Sequence, residues 1–108
     1  MLSLAGDLDL SSAGAADRAI RRAETSRPAV LVLDLRRVTF LDSSMLRTIV
    51  AALVRARGEG RRLAVAARSE TVRRVFRITL LEWRLEIVDD PADVRADRSD
   101  PDRSRDGR

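Results

Sequence analysis

The run Ala29-Val30-Leu31-Val32-Leu33 constrains the fold more than any other stretch of the chain. It has strand length, it is rich in β-branched residues, and it follows Pro28, which bars helix at the residue before it. A strand without polar alternation reads as the centre of a parallel sheet, buried on both faces. A second apolar strand, Leu63 to Ala67, follows further along. Between the two lies a helical stripe of Leu46, Ile49, Val50, Leu53 and Val54, starting near Ser43 and ended by Gly58 and Gly60. The flanks continue the alternation. Met1 to Ala5 reads as a short strand ending at Gly6, and Ser11 or Ser12 as the cap of a helix carrying Ala15, Ala16, Ala19, Ile20 and Ala23. Ser69 caps a third helix with Val72, Val75 and Phe76, Leu85 to Val88 is a last strand, and Pro91 opens a final short helix.

This order predicts an α/β fold: a mostly parallel sheet with right-handed crossovers and helices packed on it. The 108 residues suit one domain, expected over residues 1–95. Beyond Ala96 the chain has only Asp, Arg, Ser, Pro and Gly, so residues 96–108 are expected to be a disordered polar tail. No run of about 18 apolar residues occurs, which predicts no membrane span. The start Met1-Leu2-Ser3-Leu4 lacks the pattern of a secretory signal. Cysteine is absent, which removes disulfides and thiolate chemistry and fits a cytoplasmic location. Histidine is absent too, which removes the commonest general base and metal ligand. All 21 basic residues are arginine, but they are interleaved with 17 acids, and 3% aromatic content leaves little to stack on bases. Arginine as the solvated face of helices is the simpler reading, and no direct nucleic-acid contact is expected.

Sites in such sheets lie at the carboxyl ends of the strands. Three loops meet that rule: Gly6-Asp7-Leu8-Asp9, Leu41-Asp42-Ser43-Ser44 and Ala67-Arg68-Ser69. In the second, Asp42 suits an N-cap, Leu41 and Leu46 fall at the positions of a hydrophobic staple, and Ser43 takes the first helical position beside solvent. Local chemistry alone is satisfied by a cap and asks for no function.

The segment Asp34-Leu35-Arg36-Arg37-Val38-Thr39-Phe40-Leu41-Asp42-Ser43-Ser44-Met45-Leu46 resembles the signature of STAS domains, in particular the bacterial anti-sigma factor antagonists. Leu4-Ala5-Gly6-Asp7-Leu8-Asp9 is similar to the family's Gly-Glu-Leu-Asp turn, and Gly60 to Val65, then Ser69 with Val72 to Phe76 and Leu80, match its third strand and helix. The resemblance implies a STAS-like single domain whose usual first edge strand is missing here. It implies a regulatory protein, not an enzyme, that binds an anti-sigma factor acting also as a serine kinase. Phosphorylation of Ser43 would switch that binding, with Asp9, Leu41, Asp42, Ser44, Met45 and Leu46 at the partner surface. No cofactor, metal or membrane is implied, and the state would be monomer or weak dimer. A phosphate on Ser43 would meet a helix N-terminus, a ready anion site. Met45 stands where the family usually has glycine; its side chain could fold down toward Leu46 and Ile49 and enlarge the core, but the favoured expectation is that it stands beside Ser43, obstructing the kinase or altering partner choice.

Other classes fit less well. A serine hydrolase needs a base for its nucleophile, and histidine and lysine are both absent. A phospho-aspartate receiver built on Asp34 or Asp42 with Asp7 and Asp9 would want a lysine, and a nucleotide fold would want a glycine-rich phosphate loop. The competing reading is a degenerate STAS module, either binding a partner constitutively or sensing a small ligand as a scaffold.

Overall fold

The structure is a computed structural model and describes residues 1–79 and 84–95. The expected polar tail and Leu80 lie outside the described residues. Four strands and three helices alternate: β1 (Leu2–Leu8), α1 (Leu10–Glu24), β2 (Val30–Leu41), α2 (Ser43–Gly58), β3 (Arg62–Ala66), α3 (Glu70–Ile78) and β4 (Glu86–Val88). A 3-10 turn, Pro91–Asp93, follows. All pairings are parallel and the strand order is β1-β2-β3-β4, with β1 at one edge.

Strands that succeed one another in a single direction, joined by right-handed crossovers, carry every helix on the same face. The core shows this. Leu31, Leu33 and Leu35 of β2 and Leu63 and Val65 of β3 cluster with Ile20 of α1, Ile49 and Leu53 of α2 and Val72 and Phe76 of α3. Burial on both faces of β2, expected from its apolar run, is therefore only partial: Val30 and Val32, on the helix-free face, are half-buried. Over β3 that face is covered by the chain after β4. Arg36 and Arg68 reach the Asp90 carboxylate (3.5 and 3.3 Å), and Arg62 donates to the Arg95 carbonyl (2.9 Å). Beneath this strap Ala64 and Ala66 are fully buried.

β2 runs to Leu41, well past the apolar run that identifies it, because the ladder is twice interrupted. Ser3 and Ala5 face Asp34 and Arg37, and Gly6 and Asp7 face Val38 and Phe40, so β2 holds one extra residue at each step. Each bulge turns the side-chain alternation over. That is why the inward residues run Leu31, Leu33, Leu35, then Val38 and Leu41, at spacings that read as a spacer and not as a strand. β1 likewise continues beyond its expected end, through Gly6 at φ 80°, where a side chain would be strained.

Asp34, buried on the helix-free face, forms a two-pronged pair with Arg36, Nε and Nη2 each at 2.9 Å. Hydrogen bonding from the Arg36 guanidinium holds its carboxyl below the usual carboxylate range, against the opposing effect of burial. A depressed folded-state pKa contributes stability that is present above the unfolded value of about 3.9 and lost as pH falls through the folded value. Acid unfolding followed by circular dichroism should therefore show an apparent stability loss below about pH 4 that is smaller in Asp34→Asn. Equal acid sensitivity of the two proteins would remove Asp34 from that account.

Candidate functional site

β1 and β2 end side by side: Leu8 pairs with Leu41, and the Asp42 amide donates to the Leu8 carbonyl (3.0 Å). The next residue of each strand is an aspartate that caps a helix. Asp9 caps α1, its Oδ1 accepting from the Ser11 amide and hydroxyl (3.0 and 2.7 Å), while Ser12 Oγ accepts from the Asp9 amide (2.9 Å). The cap is thus Asp9 and not Ser11 or Ser12, because Ser12 completes a reciprocal box one turn in. The Ser11 hydroxyl foremost, then the first-turn amides and Ser12, keep the Asp9 carboxyl below its ordinary pKa. Asp42 caps α2, with Oδ1 accepting from the amides of Ser44 (2.9 Å) and Met45 (3.1 Å). Asp7 stays exposed, and its carboxylate accepts the Thr39 hydroxyl (2.6 Å). The third loop lies at the same end of the parallel sheet, where Ser69 caps α3 through the Val72 amide (3.4 Å).

Ser43 opens α2 and is exposed. Among the described residues its hydroxyl has no hydrogen-bond partner. Ser44, the next residue, is half-buried. The site residues read from the sequence divide sharply by burial. Asp9, Asp42, Ser44 and Leu46 keep some surface, whereas Leu41 is 4% exposed and Met45 0%. Met45 therefore does not stand beside Ser43: it points into the core, among the side chains that include Ile49 and Leu41. The expectation that its side chain obstructs a kinase or contacts a partner is corrected on that ground, and Leu41 likewise supports the loop from beneath.

The outer side of α2 also differs from its expected stripe. Ile49 and Leu53 are inward, together with Met45, Ala52 and Ala56, but Val50 and Val54 are 37% and 64% exposed. Val50 lines a shallow, largely apolar groove of about 500 Å³ with Ser43, Leu46, Arg47, Ala51 and Thr79. Arg47, Ala51 and Thr79 were not singled out from sequence, and Val50 only as part of the apolar stripe. The spacing of Ser43 and Arg47, four residues apart on one helix face, is the signal that points to Arg47. No cluster of three metal-ligating side chains occurs among the described residues, and no helix there is long and apolar enough to cross a membrane.

A one-directional parallel sheet whose first two helices start on aspartate caps, next to an exposed serine, defines a small α/β module with its polar site at one end. The chain belongs to the STAS domain family, which it matches over residues 1–93. It is 35% identical over 82 residues, 76% of its length, to the anti-sigma-F factor antagonist RsfB from two strains of Mycobacterium tuberculosis, CDC 1551 / Oshkosh and H37Rv. The match spans 66% of the length of these relatives. Among solved structures, it is similar to an anti-sigma factor antagonist from Mycobacterium paratuberculosis (TM-score 0.77, 30% identity, 84% of this chain and 77% of the other). It also shares the fold of the anti-sigma factor antagonist SpoIIAA in its unphosphorylated form (TM-score 0.65, 20% identity, 83% of this chain and 78% of the other).

Proposed function

We propose that this STAS protein is an anti-sigma factor antagonist in the cytoplasm. It binds an anti-sigma factor that is also a serine kinase, and phosphorylation of Ser43 releases it. The observation that carries the reading is the contrast at the start of α2, where the Ser43 hydroxyl is exposed and, among the described residues, unpartnered, while Ser44 is half-buried. The names of the relatives given above support an antagonist role. In the transfer, Ser43 Oγ attacks the γ-phosphorus of a nucleoside triphosphate held by the partner. The bond from that phosphorus to the bridging oxygen breaks, the diphosphate leaves, and the serine proton passes to a base of the kinase. Asp9, Asp42, Ser44 and Leu46 flank the serine at the surface that the kinase would approach. The contact would not require a large rearrangement of this chain, since the caps already hold both loops.

Incubation with the cognate kinase and ATP, followed by peptide mass spectrometry, should place the phosphate on Ser43. Phosphate found mainly on Ser44, or undiminished in Ser43→Ala, would overturn the assignment.

A further inference from the structure

Two of the amides that would ordinarily receive an anion at the start of α2 are already in use. The Asp42 carboxylate takes those of Ser44 and Met45, so a phosphate on Ser43 would meet a carboxylate where a bare helix N-terminus would offer donors. It needs a counter-ion from elsewhere. Arg47 lies one turn along the same helix face, and because helix side chains lean toward the N-terminus its guanidinium is within reach of Ser43. It is exposed, it lines the same groove as Ser43, and it has no hydrogen bond or ion pair among the described residues. Other exposed arginines, Arg37 and Arg57 among them, also lack an ion pair among the described residues, so what singles Arg47 out is its place in the groove beside Ser43.

We propose that Arg47 is the receiver of the phosphate: once Ser43 is phosphorylated, the guanidinium closes on it as a latch at the mouth of the groove. This rests on the reading of Ser43 as the modified residue. Among the described residues, the charged and polar groups around the phosphate are Asp42 at the cap of α2, Arg47 on α2, Asp9 at the cap of α1, and the uncharged Thr79 beyond α3, and Arg47 is the cation of that set. A guanidinium donates two parallel hydrogen bonds to phosphate oxygens, a geometry an ammonium does not reproduce. With the latch shut, the guanidinium lies across the walls formed by Leu46 and Val50, and the groove that was open to a partner in the unmodified protein is crossed by a charged pair. The latch also relieves the repulsion between the phosphate and Asp42, so that the modification leaves the helix start intact.

The test installs phosphoserine at position 43 during translation, in the full chain and in Arg47→Ala and Arg47→Lys. Because no kinase is needed, failure of the latch and failure of the switch are read separately. A second ionisation near pH 6 is ordinary for phosphoserine, and a paired phosphate titrates lower. Phosphorus NMR should give a titration midpoint about half a pH unit lower with Arg47 than with Arg47→Ala, with Arg47→Lys between them. The Arg47 Nε–H cross-peak should also move when position 43 carries phosphate. The unphosphorylated Arg47→Ala protein should melt within about a degree of the parent, because the exposed side chain holds nothing there. Coincident midpoints for Arg47 and Arg47→Ala, or an Arg47 cross-peak unmoved by the phosphate, would overturn the latch.

Discussion

Met45→Gly should lower the melting temperature by about 10 °C at the least, and by up to several tens of degrees, and should not expose Ser43 any further. The side chain is fully buried in the core cluster. Truncating a buried methionine to alanine costs about 2–5 kcal/mol, and glycine in a helix adds up to about 1 kcal/mol. Against a total stability of roughly 5–15 kcal/mol for a domain of this size, that is a large fraction. Each kcal/mol corresponds to about 4–8 °C in a chain of about 100 residues. Met45→Leu conserves volume and should cost less than about 1.5 kcal/mol. Thermal melts of the three proteins decide the matter. A Met45→Gly protein as stable as the parent would mean that the side chain is not part of the core, and would restore a role for it at the surface.

The second large effect concerns binding. Ser43→Asp should weaken affinity for the anti-sigma partner by roughly 30-fold to several thousand-fold, the equivalent of about 2–5 kcal/mol for an unpaired charge in an interface. The fold should be unaffected, because an acid is acceptable in the first turn of a helix and the serine side chain packs against nothing it would lose. Calorimetric titration with the partner measures the first quantity and a melting curve the second. Equal affinities for parent and variant would favour constitutive binding, without a switch.

The expectation about Met45 shows where the sequence was legible and where it was not. The alternation of strands and helices, the parallel sheet and the start of α2 could be read from apolar runs and cap residues, because those signals are local. The orientation of one side chain in the first turn could not. Met45 lies at the same helical phase as Ile49 and Ala52, but inward phase in a first turn depends on how steeply the helix leaves the sheet. The outward faces of Val50 and Val54 were hidden for a related reason: an apolar stripe wider than the core that receives it leaves its margin on the surface. Asp9 as a cap was obscured by Ser11 and Ser12, which are equally good cap residues in sequence and are distinguished only by where β1 stops. The only signal Arg47 carried in the sequence was its place four residues after Ser43 on the same helix. Its significance comes from Asp42 having taken the amides, and that is a matter of three-dimensional occupancy.

The two extra residues of β2 turn the ladder into a form of indexing. Between Asp34 and Leu41 the strand advances two residues more than its neighbour does, and both strands still arrive at aspartate caps in step. The serine is therefore addressed by count, starting from the buried leucines, and the count is held modulo two by which residues point inward. A side-chain exchange on Arg37 or Thr39, both exposed, leaves this address unchanged. A single-residue insertion there, with no further bulge to absorb it, would turn Leu41 outward, and the carboxylate of Asp42 would lose step with the helix it starts, whereas a deletion would remove one of the two bulges. The stretch tolerates variation in kind but not in number, so lineages of this protein should diverge there by substitution while keeping the length from Asp34 to Ser43 unchanged.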